Sequence, residues 1–230
     1  MSIMTSLIVK PIRRIVRTIR RLLPAKRERI VNPPELVTDR EVFAVLSAQC
    51  EKIIDTRKRL PDFVFRRSFA NYVPIDYEYI YTREFAVFLL KLADTFQDES
   101  VNYMTLAPPA VDYYDRYNCS FFGLASFKPS SLLERYGPAI IGDRDWSEFR
   151  AGVHIGVFWG SSLDWAISWD RISWELAVIA VPQEINVRAL TNFKCMDAAA
   201  VSSYMTNLYR RKVPAALDFN QRFLANYYLL

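Results

Sequence analysis

Apolar residues recur along this chain with two periods, and the change between them outlines the fold. From Lys10 to Leu23 they repeat every three to four positions, the spacing of one face of a helix. Pro11 suits a first helical turn, and Pro24 stops the run. After the Pro24, Pro33 and Pro34 stretch, Thr38-Asp39-Arg40-Glu41 has the form of a capping box. It opens a second predicted helix, with Val42, Phe43, Leu46, Cys50, Ile53 and Ile54 at helical spacing and an end near Arg59, before Leu60-Pro61. Thr82 caps a third, with Phe85, Phe88, Leu89 and Leu92 as its apolar stripe. The aromatic stretch between them, Asp62 to Tyr81, fits neither period.

From Ser100 onward the period shortens toward two. Val101 to Leu106 and Ser120 to Phe127 read as strands around an Asp/Tyr-rich loop, Asp112 to Tyr117. Pro129 to Tyr136 reads as a short helix, and Ala151 to Trp159 as β-rich. Asp164 to Trp169 and Trp174 to Val181 form a predicted hairpin. Helical spacing then returns: Asp197 caps a helix running to Arg211, and a last helix covers Pro214 to Tyr228. Helices, then strands, then helices, without a βαβ rhythm, predict an α+β fold: a central, mainly antiparallel sheet with N-terminal and C-terminal helices packed on it. The expected organisation is a basic helical segment over 1–30 and one domain over 31–230.

Composition adds little until it is divided along the chain. The whole carries a net charge of +5. Residues 1–30 hold nine basic groups and one acid, Glu28, for +8; the 21 basic and 24 acidic groups that remain give −3. On a helical wheel Lys10, Arg13, Arg14, Arg17, Arg20 and Arg21 fall within an arc of about 120°. Ile8, Ile12, Ile15, Val16, Ile19, Leu22 and Leu23 fill the opposite arc. Such a helix suits an anionic membrane surface: the six cations meet headgroups, and Ile12, Ile15, Val16, Ile19, Leu22 and Leu23 insert. Three other readings compete. The segment could be an organelle import sequence, an arm on nucleic acid, or a helix whose apolar stripe docks on the rest of the chain. A phosphate-binding arm has no need of aligned aliphatics, which disfavours the nucleic-acid reading. No run approaches the ~20 apolar residues of a membrane-spanning helix. The expected place is the cytoplasm, with a peripheral position at the inner face of a membrane if the helix binds lipid and organelle import if it is a targeting sequence.

The inventory of chemical groups favours binding over catalysis. Six glycines supply no phosphate loop, and Cys50, Cys119 and Cys195 stand too far apart for a zinc or redox motif. The one histidine, His154, sits among strand-forming residues. No cofactor is expected. Asp143 and Asp145 form an Asp-x-Asp that could hold a divalent metal, which gives a carboxylate- or metal-dependent enzyme as the alternative. However, Asp145-Trp146-Ser147-Glu148 is itself a capping-box pattern.

All five tryptophans lie between 146 and 174, among acids that outnumber arginines. Two readings follow. In one, the window is sheet core: Trp165 and Trp169, four residues apart, share a strand face, and Trp174 pairs across the hairpin. In the other, Tyr113, Tyr114, Trp165, Trp169 and Trp174, with Asp164 and Asp170, present an aromatic, acidic surface to a protein partner, a basic one by charge. The second reading makes the chain a non-enzymatic adaptor or inhibitor-like protein held at a membrane by residues 10–23.

Overall fold

The computed structural model describes residues 34–117, 119–142, 153–209 and 213–228. The predicted helix over 10–23 and the pair Asp143 and Asp145 lie outside these residues. Six strands form one antiparallel sheet: β1 (Asn71–Asp76), β2 (Val101–Ala107), β3 (Leu124–Phe127), β4 (Ile155–Gly160), β5 (Ala166–Asp170) and β6 (Leu176–Val181), in the order β1-β6-β5-β4-β2-β3. The helices are α1 (Arg40–Ile53), α2 (Arg83–Phe96), α3 (Ala110–Asp115), α4 (Pro129–Tyr136), α5 (Val187–Leu190), α6 (Ala198–Leu208) and α7 (Val213–Tyr227). The α+β expectation is met.

Antiparallel sheets often leave one face to water, but this one is covered on both. Along β6 every side chain is buried: Ala177, Ile179 and Val181 enter one core, and Leu176, Val178 and Ala180 the other. The first core is closed by Phe85, Phe88, Leu89 and Leu92 of α2 and by Leu132 and Tyr136 of α4. The second is closed by Cys50 and Ile53 of α1, Val201 and Met205 of α6, and Phe219, Phe223 and Tyr227 of α7. Each fully buried Leu or Phe contributes about 2 kcal/mol, so the two helix layers hold the sheet from both sides.

Local chemistry sets most boundaries. Asp39 caps α1 by accepting from the Glu41 and Val42 amides, at 2.8 and 2.9 Å. The Thr82 hydroxyl caps α2 through the Phe85 amide, and Asp197 caps α6 through the Ala200 amide.

Four boundaries differ from expectation. Helix α1 ends at Ile53, six residues early, because Ile54 turns extended and bridges Phe65. The unassigned Asp62 to Tyr81 stretch supplies edge strand β1 and a 3-10 turn, Tyr77–Tyr81. Asp112 to Tyr117 is no loop: most of it lies in α3, which turns Tyr113 inward over Gly123. A Cβ at Gly123 would stand 2.6 Å from the Tyr113 ring. Of Ser120 to Phe127 only the last four residues join the sheet, since the Phe122 amide instead donates to the Val37 carbonyl.

Candidate protein-binding surface

The structure separates the tryptophan window into core and surface. Trp165 and Trp169 do share a face: both enter the first core, at 0% and 1% exposure. They are therefore unavailable to a partner, and the surface assignment for this pair is corrected. Their environments explain why. The Trp165 Nε1 donates to Asp98 Oδ2 at 2.7 Å. The Trp169 ring lies across Gly156, where a Cβ would stand 2.7 Å from Nε1. Trp159, on the opposite face, is also fully buried. Tyr113 is corrected in the same way: it is buried, and burial pushes its phenol pKa up. Asp164 reaches solvent, but it is engaged by Arg67 at 2.7 Å.

Two surface features remain. The first is an aromatic stack on α1 and α3. Phe122, fully buried, lies between Phe43 (centroids 4.2 Å apart, planes at 14°) and Tyr114 (4.9 Å, 13°). Arg40 sits over the Tyr114 ring at 5.6 Å and donates to Asp115 at 3.0 Å. Tyr114 is thus 43% exposed yet held by its stack on Phe122 and by Arg40 over its ring. Val42 and Val45 of α1 and Tyr117, two residues beyond α3, are also exposed.

The second feature is a group of aromatic and acidic residues at the end of the sheet where β5 turns into β6. Trp174 does not pair across the hairpin. Glu175 takes a positive φ of 50° and breaks the strand, and the Trp174 ring packs on Phe219 of α7, centroids 4.3 Å apart, and lies 5.5 Å from the ring of Tyr209 at the end of α6. Asp170, expected at the surface, is 1% exposed, which is a further correction. Its Oδ1 accepts from the Ile172 and Ser173 amides at 3.0 and 2.8 Å, which forms the turn. Its Oδ2 is buried without a hydrogen-bond partner. Across the rung, Asp76 and Asp170 flank Leu176 on one face of the sheet. Adjacent strands lie about 4.8 Å apart, so the two carboxylates stand about 10 Å from each other at the backbone.

The remaining groups come from distant sequence. The Glu175 carbonyl accepts from the Tyr204 hydroxyl at 3.1 Å and from the Tyr77 amide at 3.4 Å. Burial, reinforced by Asp76 and Glu78, raises the Glu175 carboxyl pKa, and Arg171 opposes this. Burial also raises Asp170, partly offset by its turn hydrogen bonds. Tyr204 is pushed up by burial and then by Asp76, Glu175 and Glu78, and Tyr209 by burial, Asp170 and Glu175. Acidic and aromatic groups are thus gathered at this end of the sheet, where Asp76 and Glu78 act on Glu175 and all three act on Tyr204. Among the described residues, no group of three or more His, Cys, Asp or Glu is placed to hold a metal ion.

Asp76, Glu78, Tyr204 and Tyr209 were not identifiable as site residues from sequence, because only the β1–β6 pairing and the packing of α6 bring them to Glu175. Glu175 itself carried a signal in its position beside Trp174. His154 is fixed through its backbone, donating to the Ala107 carbonyl and accepting from the Arg171 amide. Comparisons with protein-family models, curated proteins and solved structures find no match. Among the described residues, no helix is long and apolar enough to cross a membrane.

Proposed function

We propose that the protein is a non-catalytic binding protein, held on the cytoplasmic face of a membrane by residues 10–23 and presenting its α+β body to a protein partner. The observation that carries this reading is the division of charge, +8 over residues 1–30 against −3 over the remainder. Six cations on one helical arc each contribute about 1 kcal/mol against anionic lipid, and the opposite aliphatic arc adds burial at the headgroup boundary. On the body, the Tyr114 stack supports the partner role: tyrosine and arginine are favoured interface anchors, and a ring already stacked loses little freedom on binding.

Co-sedimentation with anionic vesicles tests the membrane step. The full chain is expected to pellet, and the 31–230 fragment to stay in the supernatant. Equal pelleting of both would contradict the reading. Loss of vesicle binding accompanied by tight, steeply salt-dependent binding to DNA or RNA would favour the nucleic-acid alternative instead. Partner capture by the full chain is expected to fall with Tyr114→Ala, whereas Leu133→Ala, an exposed change elsewhere, should leave it unaltered.

A further inference from the structure

We propose that two copies of this chain pair through the outer face of α1, antiparallel about a two-fold axis, with Glu41 of each copy opposite Lys52 of the other. The proposal goes beyond the partner reading above and does not rest on it.

The helix period builds this face. Cys50 and Ile53 point into the second core, while Glu41, Val45, Ala48 and Lys52 form one ridge on the other side of α1, within an arc of about 60°. All four are exposed, Val45 by 60%. Val42 and Ala44, also exposed, flank the ridge on either side. The outward face of a surface helix is ordinarily polar. Here its middle is apolar, and charge is confined to the two ends. A single exposed valine needs no explanation, but Val42, Ala44, Val45 and Ala48 are neighbours at helical spacing and make one continuous strip.

The order of residues along the ridge identifies the occupant. Read from the N-terminus it runs acid, apolar, apolar, base, and turned end for end it is its own complement. An antiparallel copy centred between Leu46 and Ser47 sets Glu41 against Lys52 at both ends and Val45 against Ala48 on both sides of the axis. This is the isologous contact of a two-fold dimer. Glu41 and Lys52 stand about 16 Å apart along the helix, so the two ion pairs close the two ends of the strip. Among the described residues, neither Glu41 nor Lys52 is in an ion pair within the chain. The small side chains of Ala44 and Ala48 let the two helices approach to about 8 Å. A parallel pair would set Glu41 against Glu41 and Lys52 against Lys52. An unrelated protein would have to reproduce this order of charges, whereas a second copy supplies it. The contact is small, so its expected affinity is in the micromolar range. The pair carries residues 10–23 twice, which raises avidity for a surface without any new contact.

The test is sedimentation velocity of the full chain from about 5 to about 500 μM. The wild type is expected to pass from monomer to dimer over this range. Val45→Asp, at an exposed position, should weaken pairing by at least about tenfold. Leu217→Asp, equally exposed on α7, should change it by less than about twofold. Glu41→Lys alone and Lys52→Glu alone each set like charges at both ends and should weaken pairing. A one-to-one mixture of those two variants should pair again, because each now complements the other, and this recovery shows that neither acts by unfolding the chain. A wild type that stays monomeric at about 500 μM overturns the proposal. So does a dimer indifferent to Val45→Asp, or a mixture that pairs no better than the separate variants. A dimer lost in the Ile15→Asp, Ile19→Asp variant but kept in Val45→Asp assigns self-association to residues 10–23 and equally overturns it. No vesicle or partner is present in the experiment, so its failure leaves the membrane and partner readings standing, and theirs leaves the dimer.

Discussion

The two turns of the β4–β5–β6 meander each hold a buried aspartate, and the two differ in how fully they are satisfied. At the β4–β5 turn, Asp98 accepts from the Ser162 amide at 2.6 Å, the Ser161 hydroxyl at 3.3 Å and the Trp165 indole at 2.7 Å. Both of its oxygens are used. At the β5–β6 turn, Asp170 spends one oxygen on two amides and leaves the other without a donor. The first turn is closed on itself: the ring, the serines and the carboxylate complete one another. The second is closed mainly through the Ile172 and Ser173 amides, and its charge acts on the half-buried Tyr209. A buried carboxylate with both oxygens engaged is a structural tie, whereas one with an oxygen left without a donor carries a desolvation cost that nothing offsets.

The largest expected effect that tests this contrast is Asp98→Asn. Its amide nitrogen must face either the Trp165 indole or the Ser162 amide, donor against donor. A loss of about 2–3 kcal/mol follows from stranding a buried donor, measured by urea unfolding. Gly160→Ala belongs to the same class, since a Cβ there would stand 2.1 Å from Asp98 Oδ2. By contrast, Asp170→Asn keeps the oxygen that binds the turn amides and replaces the one that has no donor. Its expected change is under about 1 kcal/mol. If the two Asp→Asn variants lose equal stability, the distinction between the turns fails.

The next effect is in pH dependence. Asp170 and Glu175 have folded-state pKa values above their ordinary ones, with burial as the first cause for both. A raised carboxyl pKa costs stability above the folded value, and the cost disappears as pH falls below the ordinary value. The stability gap between the wild type and the Asp170→Asn, Glu175→Gln double variant should therefore favour the variant most at neutral pH. It should shrink steadily as the pH is lowered toward the ordinary carboxyl range. A gap that stays constant across that range would show that these two groups are not strained by their surroundings. The smallest effect is at the rim of the closed turn. Arg67→Ala removes the exposed ion pair with Asp164, and less than about 1 kcal/mol should be lost in thermal unfolding.

The elements with strong local signals were readable from the chain alone. The Thr82 and Asp197 caps, the Pro129 to Tyr136 helix and the β5–β6 hairpin all follow from short-range chemistry and periodicity. The shared face of Trp165 and Trp169 followed from their even spacing. What was not readable depended on distant partners. Helix α1 stops where Ile54 finds Phe65, and β1 is a strand only because β6 offers it an edge. The candidate site suffered most from this. Tryptophan and aspartate near one another describe a core and a surface equally well, and only the packing of α2, α6 and α7 separates Trp169 from Trp174. Asp98 gave no signal at all, because its importance lies in three hydrogen bonds to residues more than sixty positions away.

The central claim is attachment to an anionic surface through the apolar arc of residues 10–23. Vesicle flotation of the full chain against its Ile15→Asp, Ile19→Asp variant measures it most directly. The wild type should float with anionic vesicles and stay behind with neutral ones, and the variant should lose flotation although its net positive charge remains large. Flotation of the variant equal to that of the wild type would contradict the account.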